Sequence, residues 1–274
     1  LKVQMGNQQR SAQSSALAVK EIREGIIGEV YKGEAYYSSN RGSIGIGNKI
    51  AVPNTLDWDL WQGPAPREDY RDNIHPYNWH NNGTHEIDIC RWALGVDLPE
   101  SVTSFGGKYT FKDDWEFVDN QQVTYKYADD KFITWTGHSR GLIKPDQPGR
   151  GITIYGSKGM ITLSRNDYNL YNLDGSLIKK VEEGVESETT NTVGMGGLDV
   201  NHIHNFFSAI RQDTSLNSDI NDASISTMLC HLGNIAQNVG RTIHINPTTG
   251  KVKDDDEAMS YWKREYQDGW EPKL

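Results

Sequence analysis

Val123-Thr124-Tyr125-Lys126-Tyr127-Ala128-Asp129-Asp130-Lys131-Phe132-Ile133-Thr134-Trp135 is a strand, a turn and a second strand written in one line. Val123, Tyr125 and Tyr127 alternate with polar residues, the period of an extended chain whose successive side chains point to opposite sides. Asp129-Asp130 interrupts the pattern with residues that tolerate turn conformations. Phe132 to Trp135 then resumes it. Two strands joined by so short a turn run antiparallel. Tyr125, Tyr127, Ile133 and Trp135 are expected to give aromatic surface to each face of the resulting sheet.

The same grammar continues outward. Ile152 and Ile154 alternate, Gly156-Ser157-Lys158-Gly159 turns, and Ile161 and Leu163 follow. Tyr168 to Asn172 leads into Asp174-Gly175, a dipeptide suited to the positive φ of a tight hairpin. Upstream, Val30 to Ser38 reads as a strand, and residues 1–9 as a short one. Helical spacing marks a segment capped by Ser14 or Ser15 that carries Leu17, Ala18, Ile22 and Ile26 and closes at Gly25 and Gly28. It also marks Thr84 to Leu94, with Ile87, Cys90 and Leu94 on one face and Gly95 as the stop. Two further helices are expected, Val200 to Arg211 and an apolar stripe from Ile225 to Val239, before a short strand (Thr242 to Ile245) and a polar tail. Residues 182–197 read as a polar, glycine-rich loop. A run of strands with helices before and after it spells an α+β fold: an open, mostly antiparallel sheet with helices on one face. Residues 1–274 are taken as one such domain.

Composition bounds the partners. The chain has 274 residues, 24% charged and 36% hydrophobic, with a net charge of −9. Such a chain is soluble and globular. The charge argues against nucleic acid and against an anionic membrane, both of which reward clustered Lys and Arg. No apolar run approaches the roughly 20 residues needed to span a bilayer. Cys90 and Cys230 fall inside helical patterns and are expected as buried free thiols. They leave the compartment undecided between cytoplasm and periplasm. The first residue is Leu1 rather than Met, so the chain reads as beginning inside a longer one.

Few motifs carry chemistry. Ser43-Ile44-Gly45-Ile46-Gly47 is no dinucleotide fingerprint, since it precedes Pro53 and a loop rather than opening a helix after a strand. No metal site is expected: His85-Glu86 lacks the second histidine of a zinc motif, and His202 and His204 stand two apart on a helix. Asn81 and His85 are different. They lie four apart where the long, Trp- and Gly-rich loop of residues 39–82 becomes a helix, so both side chains can face one cleft. An imidazole there suits proton transfer to or from a hydroxyl, although a capping Asn and a packed His fit the spacing too.

The order of Asn7-Gln8-Gln9-Arg10, Ile22 to Val30, Trp58-Asp59-Leu60-Trp61-Gln62-Gly63-Pro64-Ala65, Asn81 to Trp92, Tyr155-Gly156-Ser157-Lys158-Gly159 and the closing helices resembles the C-terminal domain of the glucose–fructose oxidoreductase / inositol dehydrogenase (Gfo/Idh/MocA) family. The resemblance covers essentially the whole chain. It implies a sheet that carries substrate on its helical side and associates through its other face into a homo-dimer or tetramer. It also implies NAD or NADP, bound mainly by a Rossmann-type N-terminal domain absent from these residues. His85 matches the family's catalytic His, and Asn81 stands where relatives carry Asp. An amide there orients a hydroxyl but accepts no proton. The family's Glu-Lys-Pro motif is missing, as is a Trp- and Gly-rich stretch that relatives carry between the positions of His80 and Asn81.

The implied reaction is hydride transfer between a carbinol of a sugar or polyol and the nicotinamide, with His85 as acid/base and Asn81 as an orienting group. Arg10, Tyr77, His80 and Arg140 are candidate substrate-binding residues, with packing or solvated roles as the alternative. Rival readings are a related enzyme that uses NAD transiently to cleave a glycosidic bond, and a non-catalytic sugar-binding or assembly domain.

Overall fold

The structure, a computed structural model, describes residues 1–73, 80–140, 148–165, 167–183 and 196–273, with the backbone alone at 80–82 and 196. Tyr77 lies outside the described residues, and so do the side chains of His80 and Asn81 and most of the loop expected at residues 182–197.

The hairpin expected at Val123 to Trp135 forms. Strands β3 (Asn120–Lys126) and β4 (Phe132–His138) pair antiparallel, Val123 opposite Trp135 and Tyr125 opposite Ile133. The turn places Asp129 and Asp130 at φ 58 and 56. The missed neighbour is β2 (Ser101–Gly107), which pairs with β3 on one side and with β9 (Ile243–His244) on the other. On the far side β1 (Val30–Ser38) lies between β4 and β5 (Arg150–Gly156). Then come β6 (Gly159–Leu163), β7 (Asp167–Asn172) and β8 (Leu177–Glu182). The order is β8-β7-β6-β5-β1-β4-β3-β2-β9, antiparallel except where β1 meets β4. A parallel contact needs a crossover. The chain makes it partly through α3 (His80–Leu94), which lies across β1, β4 and β5.

Helices cover one face. α1 (Gln13–Arg23) packs beside β7, and α5 (Ile220–Val239) lies over β2 and β3. α4 (Gly196–Gln212) packs against a 3₁₀ turn at Gln8–Ser11. Two short helices, α2 (Trp58–Gln62) and α6 (Asp256–Ser260), sit in the long loop and near the C-terminus. The core is the layer between: Ile87, Cys90 and Leu94 of α3 and Leu229, Leu232 and Ile235 of α5 against Ala35, Val123, Tyr125, Ile133, Ile152 and Ile161 of the sheet. Both cysteines are buried and free.

Three expectations need correction. Tyr125, Tyr127, Ile133 and Trp135 are all buried in the helix-side core and do not divide between faces. Residues two apart share a face, and the register sets Tyr125 against Ile133 on that same face. The open face instead carries a registered row: Thr103, Thr124, Thr134 and Glu34, continuing through Thr153, Thr162 and Asn169. Residues 1–9 form no strand but a single bridge, Gln4 to Asp219, and then the 3₁₀ turn. Neither Ser14 nor Ser15 caps α1, whose N-cap is Ala12. The free N–H groups of Gln13 and Ser14 donate to the Glu183 carboxylate, at 2.8 and 2.6 Å, so the cap comes from a residue remote in sequence.

β1 can approach α3 closely because residue 33 has no side chain: a Cβ added to Gly33 would lie 2.9 Å from Cys90 Cβ. Gly33→Ala is therefore expected to lower stability by about 1–3 kcal/mol, the usual cost of overpacking. Gly6→Ala, where a Cβ meets nothing, should change it little. Urea midpoints of the two variants check the difference.

Candidate active site

α3 rides over β1, β4 and β5, with Gly83 near its N-terminal end against Trp135. What fixes it is a buried ionic network. Arg10 meets Asp88 with two bonds, Nε to Oδ2 at 2.7 Å and Nη2 to Oδ1 at 2.8 Å, and reaches Asp222 of α5 at 3.0 Å. Its guanidinium also stacks over Trp92. Ser226 donates to Asp88 at 2.6 Å and accepts from Arg91, which pairs with Asp97 and Asp222. Arg10, expected in the substrate pocket, is thus a structural tie, its Nε and Nη2 held by carboxylates. Arg140 is another. It is buried against the Asp113 carboxylate and stacked over Phe111 and Trp115 at the root of the long loop.

With α3 so held, His85 and Glu86 face the helix side of the strand ends. Arg150, at the start of β5, points to the same face as Ile152 and Ile154. It bonds Glu86 through Nε at 2.6 Å and lies over the ring of Tyr37. Burial pushes the Glu86 carboxyl up to about 7, with Arg150 opposing the rise. Glu86 Oε2 is buried with no hydrogen-bond partner. The His85 ring makes no hydrogen bond or ion pair among the described residues. Burial first, then Arg150 and Arg165, push it down to about 4. At neutral pH it is an uncharged imidazole, able to accept a proton.

Asn81 and His85 share α3, one turn apart, as the sequence suggested. Glu86, Arg150 and Arg165 were missed. Glu86 had a signal, a carboxylate beside the chosen histidine; the two arginines, brought in by sheet register, had none. A cleft of about 630 Å³ does lie at the other end of α3, lined by Ile22, Gly28, Leu94, Asp129 and Lys131. His85, Glu86, Arg150 and Arg165 do not line it. The glycine-rich loop also fails as a phosphate cradle, because the N–H groups of Ile44 and Gly47 are taken by the Asp113 and Asp114 carboxylates at 3.0 and 2.8 Å. Phosphate would meet like charge there.

Residues 47–257 match the sequence model for the C-terminal alpha/beta domain of the GFO_IDH_MocA oxidoreductase family, and the chain belongs to that family. No curated protein matches the sequence. Among solved structures the chain resembles levoglucosan dehydrogenase in complex with NADH and levoglucosan (TM-score 0.63, 17% identity, 88% of this chain and 66% of that one). It also resembles an Agrobacterium radiobacter oxidoreductase in complex with NAD+, L-tartaric acid and magnesium (0.61, 14%, 89% and 65%). A third is aldose-aldose oxidoreductase from Caulobacter crescentus complexed with glycerol (0.61, 13%, 89% and 64%). The chain therefore spans about two thirds or less of these relatives' length.

The two shifted groups make opposite demands on pH. His85, with a lowered pKa, contributes stability that is present above 6.5 and lost as pH falls toward 4. Glu86, with a raised pKa, contributes stability that is present below 4.5 and lost as pH rises toward 7. Between these limits they offset each other. Glu86→Gln should remove one arm, so Tm of the variant falls more steeply on acidification from pH 6.5 to 4.5 than that of the wild type. Parallel Tm profiles would show that Glu86 does not titrate in this range.

Proposed function

We propose that this chain is the substrate-handling part of an oxidoreductase that acts on a CH–OH group of a sugar or polyol. The observation that carries the reading is His85: uncharged, without a hydrogen bond or ion pair among the described residues, and acted on by Arg150 and Arg165 in a chain of this oxidoreductase family. Relatives crystallised with NADH and levoglucosan, or with glycerol, support the substrate class.

A nicotinamide dinucleotide, NAD or NADP, would supply the hydride acceptor when bound. The Ser43–Gly47 loop does not suit its phosphates, so a nucleotide-binding domain outside these residues is proposed to hold it. The work of this chain is different. His85 accepts the hydroxyl proton as the carbinol carbon gives up its hydride, which leaves a carbonyl. Asn81, one helical turn earlier, is proposed to orient that hydroxyl through its amide. Burial beneath α3 limits water around the reacting oxygen. The threonine row on the uncovered sheet face is proposed as the surface through which copies associate.

In the enzyme with its nucleotide domain, His85→Ala should lower kcat by about 10² to 10⁴-fold, the usual worth of a positioned acid/base. Sugar affinity should change far less. Asn81→Asp should be tolerated. Tm and kcat measured on the same preparation decide: a destabilised variant with full turnover would make His85 a packing residue.

A further inference from the structure

Arg165 sits in the turn that joins β6 to β7, half-buried. The last register pair of β5 and β6 is Ile152 opposite Leu163. Arg150 stands two residues before Ile152 and Arg165 two residues after Leu163, and the two act electrostatically on each other and on His85. Two like charges this near repel, so the arrangement costs stability. Glu86 answers one of them, through Arg150 Nε. Arg165 has no hydrogen bond or ion pair among the described residues. Glu86 of α3 and Asp199 of α4 attract it from a distance, yet desolvation and Arg150 outweigh them, and its pKa is lowered. Arg150, by contrast, is engaged by Glu86, its Nη2 lying 2.5 Å from Glu86 Oε1. Half-buried guanidinium N–H groups left unpaired beside a second cation are a vacancy for an anion with acceptor oxygens.

We infer that Arg165 receives an anionic group on the substrate, and that the sugar handled here is an acidic one carrying a carboxylate or a phosphate. This rests on the reading of His85 as the group facing the reacting hydroxyl. The anion would do two things. It would anchor one end of the sugar by the planar fork of Arg165, fixing which carbinol meets the imidazole. It would also offset the charge of the two arginines that face His85 from β5 and the β6–β7 turn. Asp88 of α3 and Asp199 of α4 act on the ring in the same direction. The imidazole becomes a stronger base when the acidic substrate is in place. A neutral sugar would leave Arg165 unanswered and the base weak, so selection would occur in the chemical step as well as in binding.

The test measures binding by calorimetry of D-glucuronate, D-glucose 6-phosphate and D-glucose to the 274-residue chain, with NAD-linked turnover of the same three sugars by the enzyme that includes its nucleotide domain. At least one acidic sugar should bind about tenfold or more tightly than glucose, with an advantage that shrinks as salt rises. Arg165→Gln should abolish that advantage at unchanged Tm, and Arg165→Lys should retain part of it. The tighter of the two acids identifies carboxylate or phosphate as the anion. Equal affinity for all three sugars, or an acid preference that survives in Arg165→Gln, would overturn the inference. Oxidation of glucose without acid preference would do the same while leaving the oxidoreductase reading intact. Selective, Arg165-dependent acid binding without NAD-linked turnover of any sugar would uphold the anion site and remove the proposed reaction instead.

Discussion

Arg10 and Asp88 face each other with side chains 6% and 1% exposed, and the rest of the site takes its geometry from that pair. Such a pair, taken out of water, adds little net stability, because desolvation of both ions consumes most of their attraction. Removal of one partner is a different matter, since it leaves a buried charge unanswered. What the pair and its neighbours Asp222, Arg91 and Ser226 fix is the rotation of α3 about its own axis. Arg10 holds that helix from the 3₁₀ turn and Asp222 holds it from α5. Asp88 is three residues after His85, so the network that clamps the one aims the other.

The charges under His85 then follow from the sheet. β1 and β5 run antiparallel and bring Tyr37 opposite Arg150, and Arg165, just after β6, acts on Arg150 and on His85. Burial works against every charged form there. The histidine gives up its proton, and the glutamate keeps part of its own near pH 7. A neutral imidazole, a carboxyl near its midpoint and two guanidinium groups are thereby gathered at one end of α3.

Much of the fold was legible because it rests on local signals. Alternation at Val123 to Tyr127, the paired aspartates at Asp129-Asp130 and the glycine stop at Gly95 each specify structure within a few residues. Ser101–Gly107 was not legible as a strand, since Thr103, Ser104 and two glycines give no apolar alternation; only its neighbours β3 and β9 make it one. Of the cluster around His85, the sequence offered the histidine and the glutamate beside it but not the arginines that the fold brings to them. Arg10 and Arg140 looked like pocket residues because an unpaired arginine invites a substrate. Their partners, Asp88 and Asp113, stand far away in sequence. Arg150 and Arg165 drew no notice for the same reason in reverse.

The direct test of this electrostatic arrangement is the titration of the His85 imidazole, followed by long-range ¹H–¹⁵N NMR with His85→Gln to assign the signal. A ring that stays uncharged through pH 6 and gains its proton only near 4 is the expected result. A midpoint at the ordinary value of 6.5 would mean that His85 stands in water, away from both arginines, and would contradict the site as described.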